Sequence, residues 1–362
     1  MSEHRRGAQA SGSSFLQACH GRVPTSRPVW LMRQAGRILA PYRRLKEKTG
    51  SILTLFRTPE LAAEVTLMPV EMLHVDAAIL FADILTPVDP MGCSVSFQPG
   101  PVMSPIRTRG DVEALRIIDS DTDLAYVAET ISLILPALPA DVPLIGFAGS
   151  PFTLAAYLAE GGTSKDFTQF RRMFRSDPDS AHLLLSKLAD VAIDYLSMQV
   201  RAGVQVVQLF DTWIGLLSAS DFQQLALPYL RRIFDALEPL GVPRIYFGNG
   251  AGHFLSHLPE TGADVLSLDW RVDLGAAFKL FGDPPIPLQG NLDPCVLFGS
   301  RQQVESAARE ILEVTEGRPH IFNLGHGVQP DTPYDNVKAL VDTVHAHDSG
   351  PELYPNRMKR GE

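Results

Sequence analysis

Cysteine is scarce: Cys19, Cys93 and Cys295 are the only three in 362 residues, and they form neither a Cys-x-x-Cys pair nor a Cys/His cluster. A disulfide framework and a zinc knuckle are excluded on that count, and a reducing, cytoplasmic setting is the default expectation. Long apolar runs are missing as well. Nowhere do ~18 consecutive apolar residues occur, and the Gly/Ser/Arg-rich residues 1–14 lack an apolar signal core, so neither a membrane span nor a secretory leader is expected. Positive charge is in short supply. A net charge of -9 and a pI near 5.6 argue against a nucleic-acid binder, so any anionic ligand needs a local basic patch. No Gly-x-Gly-x-x-Gly follows the first strand-like run, which removes the usual sign of an open dinucleotide-binding sheet.

What the chain does contain is a repeat of short apolar runs that each close on glycine or a polar residue. They cover residues 28–32 before Arg33, 77–82 before Asp83, 143–148, 204–210, 244–247, 265–268, 286–288 before Gln289, and 320–324 before Gly325-His326. Such runs fit strands buried on both faces, as in a parallel sheet. Helical apolar spacing fills most of the gaps, over 60–74, 179–202, 221–240, 252–259, 304–315 and 335–347; Gly203, Gly241, Gly262 and Gly317 mark helix ends, and Ser176-Asp177-Pro178 marks a start. Strand then helix, eight times, predicts an α/β fold of the (β/α)8 TIM-barrel type. The domain is expected over residues 21–348, between a flexible tail at 1–20 and a second tail at 349–362.

In a barrel the strand C-termini converge on one mouth, so Arg33, Asp83, Thr212, Asn249, Gln289 and His326 are expected there together. Strict alternation puts Phe81, Phe147 and Phe210 on the same side, as an aromatic collar under a polar rim. Arg33 and Arg37, four apart, would share one face if they wound into a helical turn and could grip carboxylates or phosphates. Plainer roles exist for each. Two surface arginines need no ligand; Asp83 can cap the turn after its strand; His326 between glycines can be a hydrogen-bonded core histidine; Tyr157 can be core packing; and the glycines around Asn249 suit close backbone packing better than a phosphate loop.

Five motifs, in order, resemble the uroporphyrinogen decarboxylase family: Pro28-Val29-Trp30-Leu31-Met32-Arg33-Gln34-Ala35-Gly36-Arg37, Asp76-Ala77-Ala78-Ile79-Leu80-Phe81-Ala82-Asp83-Ile84-Leu85, Gly146-Phe147-Ala148-Gly149-Ser150-Pro151-Phe152-Thr153-Leu154, Gln289-Gly290-Asn291-Leu292-Asp293-Pro294 and Phe322-Asn323-Leu324-Gly325-His326-Gly327. The resemblance implies a cofactor-free and metal-free (β/α)8 enzyme, usually a homodimer, that converts the four acetates of uroporphyrinogen to methyls, giving coproporphyrinogen and CO2. It also implies that Arg33, Gln34, Ala35, Gly36 and Arg37 bind substrate carboxylates, that Asp83 faces the pyrrole N–H groups and stabilises the transition state with help from Arg33, and that Tyr157, Thr212 and His326 touch substrate. Residues 38–42 read Ile-Leu-Ala-Pro-Tyr where the family pattern is Tyr-Leu-Pro-Glu-Tyr, and segment 91–105 is a few residues short, so the loops over the substrate depart from the pattern. A zinc-dependent corrinoid or thiol methyltransferase of similar architecture would need a His-x-Cys, and none is present. A non-catalytic porphyrin-binding relative would be expected to lose Arg33 or Asp83, and both are kept.

Overall fold

The computed structural model describes residues 12–36, 38–97, 100–282 and 285–348. Seven parallel strands form one sheet in which each strand's neighbours follow sequence order: β1 (Ala78–Ile79), β4 (Leu144–Gly149), β5 (Val206–Asp211), β6 (Arg244–Gly248), β7 (Val265–Leu268), β8 (Leu288–Leu292) and β9 (His320–Leu324). β2 (Ser96–Phe97) and β3 (Pro101–Val102) make a separate antiparallel pair in the long connection after β1. The two edges of the large sheet meet through the first apolar run. Val29 bridges Phe322 in parallel register, the Phe322 N–H donates to Pro28 O at 2.8 Å, and on the other flank the Asp76 N–H donates to Val29 O at 2.8 Å. The expected single α/β domain with a TIM-barrel-like sheet is therefore present, with its first strand reduced to a bridge.

Local chemistry explains the elements. The buried runs alternate with helices whose ends follow the sequence signals: Asp177 accepts from the Ser180 N–H at 3.1 Å to start Pro178–Ala202, and Gly203 ends it at φ 119, a conformation that costs glycine little. Three expectations change. Residues 14–20 are not a tail: Ser14–Cys19 is a helix, and its Phe15, Leu16, Ala18 and Cys19 are buried against the barrel near β9. Six residues are too few to show a helical period, which is why the segment reads as polar tail. The patterned helix 221–240 is split into Ala219–Leu225, Leu227–Leu237 and a 3-10 turn Glu238–Leu240, with Pro228 and Pro239 at the starts of the later pieces. The expected helix at 252–259 is a kinked 3-10 stretch, Ala251–Thr261.

A fourth change concerns Gln289, which does not reach the mouth. Its side chain is fully buried inside the barrel, donating to Gln208 Oε1 at 3.1 Å and Ser267 Oγ at 2.9 Å while accepting from Trp30 Nε1 at 2.9 Å. Inward-facing residues of β5, β7 and β8 and of the closing segment are thus tied across the interior by one amide. Replacing Gln289 by Leu strands three buried polar groups, each worth about 1–3 kcal/mol when orphaned. The expected outcome for Gln289→Leu is a Tm lower by several degrees, at about 2 °C per kcal/mol for a large domain, with ligand affinity at the barrel mouth unchanged. An unchanged Tm with weakened ligand binding would return Gln289 to the mouth.

Candidate active site at the barrel mouth

The site begins where the closing segment turns. Gln34 is fully buried and its amide is consumed locally: Oε1 accepts from the Leu31 N–H at 3.0 Å and Nε2 donates to Ala77 O at 3.1 Å. Met32 N–H donates to Asn323 Oδ1 at 3.0 Å, so the turn is pinned to β1 on one side and to β9 on the other. Between these anchors Arg33 takes φ 61, a left-handed conformation uncommon for a residue with a side chain and one that marks functional sites. Arg33 is exposed, and its stem crosses Gly327 so closely that a Cβ there would lie 2.5 Å from the Arg33 Cδ. Residues 32–36 form turns rather than a helix, because left-handed Arg33 cannot belong to a right-handed helical turn. Arg37 lies outside the described residues. Ala35 is buried, and Gly36 is required because a Cβ would meet Arg33 O at 2.7 Å.

Asp83 follows β1 and caps the next turn with one oxygen while leaving the other open. Its Oδ1 accepts from the Leu85 N–H at 2.9 Å and its own N–H donates to Thr86 Oγ1 at 3.2 Å, which fixes the carboxylate on the turn. Oδ2 has no hydrogen-bond partner among the described residues. Part of Asp83 is accessible at the mouth, while the protein ringing it pushes the carboxyl pKa up from its ordinary value; the Leu85 N–H and the Arg33 charge oppose that shift.

His326 follows β9 in the same mouth. Burial, then the charges of Arg33 and Arg271, push its pKa down to about 4, so the ring is neutral at physiological pH. Its centroid is 6.1 Å from that of Phe247, which continues through Phe210 (5.9 Å) to Phe147 (5.5 Å). The expected collar is present on that side, while Phe81 packs on Phe56 and Tyr42 instead. Tyr157, on the helix Pro151–Glu160, packs edge-on to Phe167 and Trp213; burial raises its pKa, and Asp83 and Arg33 are both close enough to act on it electrostatically. Arg33, Asp83, Tyr157 and His326 are thereby gathered at one place.

Thr212 follows β5 and its hydroxyl makes no hydrogen bond among the described residues. Its backbone is fixed: Asn249 Nδ2 donates to Thr212 O at 2.9 Å, and Asn249 N–H donates to Asp211 O at 3.1 Å. Of the glycines around Asn249, Gly250 serves close packing against the turn after β5: a Cβ on it would lie 3.3 Å from Gly215 Cα, and one on Gly215 would fall 2.7 Å from Asn249 O. Two further features belong to the site and to none of the motifs. Asp211 is a fully buried carboxylate that accepts from Thr153 Oγ1 at 2.7 Å and Tyr246 OH at 3.0 Å, and burial against these bonds pushes its pKa up to about 6. It anchors the helix of Tyr157 next to Thr212. The other is Asp269-Trp270-Arg271 after β7: the Arg271 guanidinium lies 3.9 Å over the Trp270 ring, with Nη1 donating to Asp269 Oδ1 at 3.2 Å and Asn249 Oδ1 at 3.3 Å. Like Asp83, this is a polar group directly after a strand, and that position is its signal in the sequence.

Among the described residues no cluster of three His, Cys, Asp or Glu side chains is disposed to hold a metal ion, and no helix is long and apolar enough to cross a membrane. A family model described as Uroporphyrinogen decarboxylase (URO-D) matches residues 11–347. Proteins named uroporphyrinogen decarboxylase from Geobacter sp. (strain M21) and from Syntrophotalea carbinolica are each 48% identical over 333 residues, covering 91% of this chain and 97% and 96% of theirs. Among solved structures, a methyltransferase from Methanosarcina mazei superposes with TM-score 0.75 at 22% identity over 91% of this chain and 96% of its own, and a B12-independent methionine synthase from Shewanella sp. W3-18-1 with TM-score 0.53 at 12% identity over 80% and 86%. Those two likenesses concern the fold alone. The family match over residues 11–347 and the 48% identity over 91% of its length place this chain in the uroporphyrinogen decarboxylase family.

Proposed function

We propose that the protein removes the carboxyl groups of the four acetate side chains of uroporphyrinogen, giving coproporphyrinogen and CO2, and that Arg33, Gln34, Ala35, Gly36, Arg37, Asp83, Tyr157, Thr212 and His326 form its substrate site. The observation that carries the mechanism is Asp83: one oxygen is locked by the Leu85 N–H and the other is unpartnered among the described residues, at a mouth lined by Phe147, Phe210 and Phe247. The names of the relatives give the substrate.

A proton added to the pyrrole carbon next to the one bearing the acetate makes the ring a cation. The C–CO2 bond then breaks, its electron pair enters the ring, and CO2 leaves an exocyclic methylene. Protonation of that methylene gives the methyl, and loss of the first proton restores the pyrrole. Each turn consumes one proton, and the substrate ring itself is the electron sink that a coenzyme supplies elsewhere. Asp83, ionised, accepts the pyrrole N–H and offsets the ring's positive charge, an effect larger in a dry apolar mouth than in water. Arg33 and Arg37 hold carboxylates that a chain of net charge -9 otherwise repels. Neutral His326 and the hydroxyls of Tyr157 and Thr212 supply hydrogen bonds without adding charge. A cytoplasmic homodimer completes the reading; sedimentation at micromolar concentration is expected to give the dimer mass, and a monomer would contradict it.

Asp83→Asn removes the charge but keeps the shape and the cap, since Asn and Asp cap comparably. Turnover is expected to fall on the order of 100-fold or more with Tm little changed, while Asp83→Glu retains measurable turnover. A stable Asp83→Asn protein with near-normal turnover would leave Asp83 as a cap and nothing more. The pH dependence follows from the same group: burial raises its pKa, so lowering the pH neutralises it sooner than an ordinary aspartate, and turnover declines on an acid limb above pH 3.8 that moves in Asp83→Glu. His326 adds no limb near pH 6.5, because its pKa is about 4.

A further inference from the structure

We infer that Arg271 is a third carboxylate clamp of the mouth, gripping an acid side chain of the substrate on a ring other than the one being decarboxylated. Resting as it does on the proposed decarboxylation, the assignment deepens that reading.

Counting the closing segment at Val29 as one strand, β1 is the second round the barrel and β7 the sixth, so the turns that carry Asp83 and Arg271 stand on opposite sides of the mouth. A tetrapyrrole seated with one ring over Asp83 spreads its other rings, each edged with carboxylates, towards the far rim. Arg271 lies over Trp270, whose ring stands beside that of His326, so the guanidinium belongs to the same rim as His326, and its charge, like that of Arg33, acts on that ring.

The side chain is pre-organised. The guanidinium is exposed, yet it is held flat over Trp270 at 3.9 Å and tethered through Nη1 alone to Asp269 and Asn249. Trp270 in turn stands 6.5 Å, edge-on, from the His326 ring. Asp269 is buried and already occupied by the N–H groups of Gly250 and Arg271, so it fixes the turn beneath the guanidinium. Nη2 and Nε have no hydrogen-bond partner among the described residues, and together they form the planar edge that takes a carboxylate through two parallel bonds. Stacking removes most of the rotamer freedom that such a side chain would lose on binding. Gly325 makes the arrangement possible: its backbone packs so tightly on the Asp269–Trp270 peptide that a Cβ would fall 2.2 Å from the Trp270 N.

The test is steady-state turnover of uroporphyrinogen by the full-length protein and by Arg271→Gln and Arg271→Lys, at several salt concentrations, with Tm measured alongside. The clamp predicts a KM raised about 10- to 100-fold in Arg271→Gln, the scale of one charge-assisted bond, with kcat within a few-fold of normal and a weaker dependence of KM on salt. Arg271→Lys should recover part of the affinity, because it keeps the charge and loses the fork. A KM and salt dependence equal to those of the unsubstituted protein would overturn the assignment, and so would a loss confined to kcat and Tm, which would mean that Arg271 only braces the Asn249 turn. Absence of turnover in the unsubstituted protein would instead overturn the decarboxylase reading, and the two failures are distinguishable.

Discussion

The sheet closes through one short segment, and the site depends on that closure. Val29 sits between β1 and β9 with hydrogen bonds to both flanks, so the residue that leaves this segment, Arg33, must emerge beside the residues that leave β1 and β9, Asp83 and His326. Three side chains separated by nearly the whole chain become neighbours because the sheet has no free edge. Gln34 then fixes how the turn leaves, tying Leu31 to Ala77 with a buried amide, and Gly327 leaves the gap that the Arg33 stem crosses. A rigid scaffold with polar turns at one end is the arrangement that catalysis by preorganised charge needs.

Electrostatics at the mouth pull in two directions. Burial raises the pKa values of Asp83 and Tyr157 and lowers that of His326, favouring neutral forms throughout. Arginine charge works the other way on Asp83, helping to keep it ionised, and the same charge reinforces neutrality at His326. Under the proposed reaction, the aromatic wall of Phe147, Phe210 and Phe247 strengthens the attraction between Asp83 and a ring cation, and it raises the cost of leaving that carboxylate unpaired. A substrate whose pyrrole N–H meets the open Asp83 oxygen would relieve that cost.

Much of this is legible in the residues. Strands 265–268 and 320–324 begin and end where the apolar runs do, and the run-then-helix repeat is enough for the barrel. The rule that a polar residue follows each strand picks out Arg33, Asp83, Thr212 and His326 from residue order alone. What stays hidden has a physical reason in each case. Gln289 also follows an apolar run, but β8 continues through Leu292, so the side chain falls below the rim and bonds across the interior. Ser14–Cys19 is too short to show its period. The left-handed Arg33 keeps residues 32–36 from winding into a helical turn, and nothing in the residue types announces that backbone choice. For Arg271 the sequence offers only its position just after a strand, because its stacking on Trp270 and its bonds to Asp269 and Asn249 are set by the folded turn.

The central claim is that Asp83 stays ionised beside the ring and works by charge. Infrared difference spectroscopy of the complex with coproporphyrinogen, comparing the unsubstituted protein with Asp83→Asn, reads that state directly. The account predicts that the band lost on substitution is the antisymmetric stretch of an ionised carboxylate, present with ligand bound at neutral pH. A lost band in the region of a protonated carboxylic acid would contradict it, since a neutral Asp83 could donate a proton but could not offset the charge of a pyrrole cation.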